Sequence, residues 1–134
     1  MADTQLYAGA LLDGPGGSPK GPWHYPPDDL TTHGLIVGMT GSGKTGLALV
    51  FLEELLLREV PLVILDPKGD LANLCRAFPD LAPASFRPWV SEQEARREGV
   101  SVDEAAAAAA ARGREGLAKW NILPERLRDY RDRV

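Results

Sequence analysis

With 134 residues the chain has room for one domain with a core, and too few for two ordinary ones. Its 44 % apolar and 25 % charged residues are ordinary for a globular protein, and a net charge of -4 excludes a uniformly basic nucleic-acid-binding surface. A single cysteine, Cys75, excludes an intramolecular disulfide and suggests no cysteine-based metal site. No apolar run approaches 18 residues and no basic segment precedes the first one, so neither a membrane span nor a signal peptide is expected, and the cytoplasm is the default compartment.

In chain order, residues 6–12 (LYAGALL) read as a short strand, ended by the Gly- and Pro-rich stretch DGPGGSPKGP. HYPPDDL at 24–30 reads as an extended, proline-broken approach segment. GLIV at 34–37 is a buried strand stopped by Gly38. From Lys44 to about Glu59 the chain is filled with good helix formers, and apolar residues occupy nearly every face, which predicts a helix under further layers. PLVIL at 61–65 is apolar on both parities, as in a parallel strand covered on both sides. Strand, helix and strand together predict one right-handed βαβ unit.

Further on, Leu71–Phe78 reads as a short helix capped by Asp70, and residues 79–90 as irregular. Ser101 and Glu104 form a capping box that opens an alanine-rich helix through Ala111. A last helix, Pro124–Arg133, begins with proline in its first turn. Residues 112–134 carry seven Lys/Arg against four Asp/Glu. That basic tail is read as a solvated helix with mixed charges.

The chemistry sits in GMTGSGKT at 38–45, which satisfies G-x-x-x-x-G-K-[ST]. A loop that wraps its N–H groups around phosphate oxygens has no room for a Cβ at its tightest points, and Gly38, Gly41 and Gly43 meet that demand. The helix behind it aims unpaired amides and a partial positive charge at a phosphate. Met39, Thr40, Ser42 and Gly46 complete the expected nucleotide-binding set, Lys44 neutralises β/γ oxygens, and the Thr45 hydroxyl is the expected Mg²⁺ ligand. The expected cofactors are therefore ATP and Mg²⁺. A chance match in a chain of this size is on the order of 1 % or less, so the pattern is read as a Walker A loop.

VILDPKGD at 63–70 is the second constellation. Asp66 at the end of an apolar strand is a candidate catalytic residue beside Lys44, able to hold the Mg²⁺ shell or orient water. Asp66, Pro67 and Gly69 also fit a type I turn on their own, and both readings stay open. Asp70 and Lys68 lie at the same edge. Trp23, His24 and Tyr25 form an aromatic cluster that either stacks on a base or belongs to a patch of core. His33, just before the loop, is read as structural.

HGLIVGMTGSGKTGLAL, then VPLVILDPKGDLANL and FPDLAPASFRPW, resemble the N-terminal part of the motor domain of HerA-type ATPases in the HerA/FtsK superfamily. The resemblance covers residues 28–89 and weakens toward 134. It implies a RecA-like P-loop fold, ATP hydrolysis, and movement on double-stranded DNA as a hexamer, often beside a nuclease. In that family pattern Asp66 closes the second strand of the motor, not its Walker B strand. Nothing after residue 70 offers four apolar residues followed by Asp-Glu, so the chain is expected to be the front piece of a longer ATPase. The expected organisation is an α/β chain: a lead-in with a short strand over 1–33, the N-terminal half of a P-loop NTPase core over 34–90, and a helical extension over 91–134. A stand-alone nucleotide-binding or regulatory module and a small P-loop kinase are the alternatives.

Overall fold

A computed structural model describes residues 5–134; the first four, part of the expected lead-in, lie outside the described residues. The chain is α/β, with a two-stranded sheet and several helices, and it divides between Leu74 and Cys75 into two compact units.

The first unit opens with an antiparallel hairpin of β1 (Leu6–Leu12) and β2 (Pro19–Tyr25). The expected strand at 6–12 is present, and its partner includes residues from the stretch read as loop. The turn itself is shorter, closed by the Asp13 N–H donating to the Ser18 carbonyl at 3.0 Å and by an Asp13–Lys20 ion pair at 2.8 Å. Helix α1 (Lys44–Leu57) packs on β1, where Leu6 and Ala8 are buried. It ends in a Schellman-type closure: Glu59 takes φ of 60°, and the Val60 N–H donates to the Leu55 carbonyl at 3.0 Å.

The hairpin is stapled to α1 by one buried charge. Glu54 is 2 % exposed, and its carboxylate accepts from the Tyr7 N–H at 3.0 Å and from Arg58 at 2.8 Å. Arg58 reaches on to the Gln5 carbonyl at 2.5 Å. A carboxylate inside an otherwise apolar helix face is tolerated only because both neighbours compensate it.

The expected strands at 34–37 and 61–65 are not in a ladder among the described residues; the sheet is the hairpin alone. Nor is 61–65 covered on both faces. Leu62 and Ile64 are half-buried, while Val63 and Leu65 stand 95 % and 89 % exposed. Leu35 and Val37 are exposed as well. The segments have the composition of strands, but a parallel strand forms only between neighbours that supply its hydrogen bonds and cover its faces. For the same reason α1, apolar nearly all round, is mostly half-buried.

The second unit is helical. Its long member, α4, follows two shorter helices, α2 (Pro83–Phe86) and α3 (Glu92–Glu98), and spans Val102–Lys119, eight residues past the expected end at Ala111. The capping box is made as expected: the Ser101 hydroxyl accepts from the Glu104 N–H and the Glu104 carboxylate from the Ser101 N–H. The alanine run gives α4 a smooth face where Ala106 and Ala110 are buried, and α2 packs close against this helix. Arg114 donates to the Leu81 carbonyl at 2.6 Å, Arg87 pairs with Asp103 at 2.6 Å, and the Phe78 and Phe86 rings lie 4.3 Å apart. Thus part of the stretch read as irregular, 79–90, is helical, and α3 was not anticipated. The last helix, α5 (Pro124–Arg131), stops two residues earlier than expected and buries Tyr130.

Candidate functional site

Residues 38–43 are an exposed loop that runs straight into α1. Gly41 and Gly43 hold φ of 78° and 89°, in the left-handed region where a side chain is strained. The loop tightens through the Ser42 N–H, which donates to the Met39 carbonyl at 3.2 Å. Lys44 folds across it, its ammonium donating to the same carbonyl at 2.5 Å. Gly38, Thr40 and Gly46 are exposed beside them, as is the Thr45 residue that carries the expected metal-binding hydroxyl.

The start of α1 differs from those of α3 and α4. Those helices are capped by Ser91 and Ser101 and have acidic residues in the first turn; α1 has Gly43 as its cap, no side-chain cap and no acid. The first amides of a helix lack intrahelical acceptors. Here they remain open to an anion from outside, with the partial positive end of the helix behind them.

Beside the first turns of α1 is an open cavity of about 280 Å³, lined by Ile36, Lys44, Thr45, Ala48, Asp66, Asp70 and Leu71. The structure therefore brings Lys44, Thr45 and Asp66 to one cavity. It also settles how Asp66 is held. One carboxylate oxygen accepts from the Gly69 N–H at 2.9 Å, and the other from the Leu71 N–H at 2.8 Å. The Leu71 amide is the main reason the carboxyl lies below its ordinary range; desolvation opposes the shift, and the Gly69, Asp70 and Lys68 amides each add a smaller lowering. The turn reading of Asp66, Pro67 and Gly69 is realised in these bonds.

Asp70 is not the cap of a helix. The chain after it forms a 3-10 turn at Ala72–Cys75 rather than a helix over 71–78, and Asp70 pairs with Lys68 at 2.8 Å. Among the described residues no group of three or more His, Cys, Asp or Glu is arranged to hold a metal by itself. The donor set near the loop still suits Mg²⁺, which prefers hard oxygens, keeps several waters, and needs only one or two protein ligands beside phosphate.

Of the aromatic cluster, Tyr25 packs against α1 and His24 is half-buried, while Trp23 is exposed. Tyr25 meets Phe51 of α1 edge to face at 5.5 Å, and Trp23 meets Tyr25 at 6.2 Å. Both border an apolar cavity of about 490 Å³ against α1. His33 is exposed. Sequence reasoning missed Glu54, whose only local signal is its i,i+4 spacing to Arg58.

A family model described as "Helicase HerA, central domain" matches residues 25–109. Loop, helix and cavity all fall inside the matched stretch. The chain belongs to this family and contains a HerA-like ATPase domain. No curated protein and no solved structure matches it. No helix among the described residues is long and apolar enough to cross a membrane.

Proposed function

We propose that the chain binds ATP with Mg²⁺ through residues 38–46, as the nucleotide-binding part of a HerA-like, DNA-translocating ATPase with a RecA-like P-loop fold. One observation carries the reading: GMTGSGKT leads directly into a helix whose first turn is uncapped, acid-free and backed by Lys44. The open amides donate to phosphate oxygens, the Lys44 ammonium leaves the Met39 carbonyl to neutralise β/γ charge, and the Thr45 hydroxyl takes a place on Mg²⁺. When bound, Mg²⁺ offsets the charge shared by the same phosphates. Asp66 bears on the chemistry through the turn it holds at the edge of the cavity.

Family membership supports the wider assignment: a cytoplasmic hydrolase acting on double-stranded DNA, assembled as a hexamer, with a nuclease as a partner. On this reading residues 34–90 are the N-terminal half of the NTPase core, 1–33 its lead-in, and 91–134 a helical extension. The test is a titration of a fluorescent ATP analogue with Mg²⁺ against wild type and Lys44→Ala. Loss of a charge-assisted bond of roughly 1.5–3 kcal/mol weakens binding about 10- to 150-fold. Equal affinities would sink the phosphate-loop assignment.

A further inference from the structure

Two carboxylates border the cavity beside Lys44 and Thr45, and they are held very differently. Both Asp66 oxygens are engaged by amides of their own turn, which compensate the charge and fix the carboxylate in place. Asp70 is held only from outside, by Lys68, through one oxygen. Its other oxygen has no protein partner among the described residues. The Lys68 side chain is 82 % exposed, so this ion pair is screened by water and readily exchanged.

We propose that Asp70, rather than Asp66, is the carboxylate that faces the nucleotide-bound divalent cation, taking a water of its shell, and that Lys68 occupies it until the cation arrives. This rests on the phosphate-loop reading above and deepens it. The physical case is one of charge. A cation of charge two displaces a single exposed ammonium from Asp70 at little cost, whereas Asp66 would have to give up amides that hold the loop together. Asp66 is then a positioning residue: by closing the 66–71 turn it sets where Asp70 stands.

The experiment measures affinity for a fluorescent ATP analogue in EDTA and across a Mg²⁺ series, for wild type, Asp70→Asn, Asp70→Glu, Asp66→Asn, Lys68→Ala and Lys44→Ala. Thermal melting of each variant accompanies the titrations. Asp70→Asn should raise the Mg²⁺ concentration at half-effect about tenfold and leave affinity in EDTA unchanged or slightly tighter. Asp70→Glu should recover part of the shift, and Lys68→Ala should lower the Mg²⁺ requirement. Asp66→Asn should lower the melting temperature and weaken binding equally with and without Mg²⁺. A wild-type Mg²⁺ midpoint in Asp70→Asn overturns the proposal, as does a Mg²⁺-specific shift confined to Asp66→Asn. The unchanged affinity in EDTA separates loss of the cation contact from failure to fold. If Lys44→Ala binds as tightly as wild type, the phosphate-loop reading itself fails, whatever Asp70 does.

Discussion

Asp66 shows how far a single carboxylate can be read. Its spacing to Pro67 and Gly69 predicts a turn, and the turn forms, with the Gly69 N–H also donating to the Asp66 backbone carbonyl at 3.3 Å. Because the amides stabilise the ionised form, the folded pKa lies below the ordinary 3.8. A depressed folded value means that the ionised carboxylate stabilises the turn at any pH above the unfolded value. That contribution is lost as pH falls from about 3.8 through the lower folded value. A carbon-detected NMR titration should place the Asp66 midpoint below that of an unfolded control peptide. A midpoint at or above the control would remove the amide contacts from the account. Glu104 shifts in the same direction, chiefly through the Ser101 N–H, so the capping box also weakens only in acid. Asp66 could be placed in a turn from its neighbours' chemistry; the use of both its oxygens there depends on where the Leu71 amide lies.

Among the elements, α1 serves both the glycine-rich loop and the hairpin. Its first turn presents the open amides, and its last turns carry Glu54, which fastens the hairpin. Removing Glu54 takes a shared carboxylate acceptor from the Tyr7 N–H and the Arg58 guanidinium, while Arg58 keeps the Gln5 carbonyl. Glu54→Ala should cost about 2 kcal/mol, from the usual worth of hydrogen bonds to a charged group, with part of the loss relieved by water at the half-buried arginine. Urea unfolding should show a lower midpoint, and the near-ultraviolet signal of Tyr7, Trp23 and Tyr25 should weaken as the hairpin loosens. A mutant with the wild-type midpoint would show that the staple contributes nothing net. Elements with self-sufficient local signals were legible: α1, the capped start of α4, and the strand at 6–12. The strand β2 was not, since proline and glycine in PKGPWHY conceal it until β1 lies opposite.

At the scale of the molecule, the expectation is that binding and turnover separate. The carboxylates at the cavity are Asp66 and Asp70, the first held by turn amides and the second paired with Lys68. Neither is a glutamate placed to orient an attacking water. Phosphoryl transfer is mostly positioning and electrostatics, and an arginine supplied by a neighbouring subunit adds roughly 10³–10⁵ in rate. Purified chain should therefore bind ATP but release phosphate far below 1 s⁻¹, with or without duplex DNA, close to the Lys44→Ala background. Steady-state turnover on the order of 1 s⁻¹, ordinary for a complete enzyme, would contradict this and return Asp66 or Asp70 to a catalytic role.

What the chain determines by itself are features written in consecutive residues: the glycine-rich loop and its lysine, the Asp-Pro-x-Gly turn, the capping box, and the family that matches 25–109. Each depends on interactions spanning a few positions, so composition and spacing suffice. The tertiary structure alone decided three things. It put Asp66 and Asp70 in one cavity with Lys44 and Thr45, it buried Glu54 between α1 and the hairpin, and among the described residues it left 34–37 and 61–65 outside any ladder. These depend on partners far away in sequence. A strand pattern such as GLIV or PLVIL encodes an ability to pair, and the pairing forms only where another strand stands beside it.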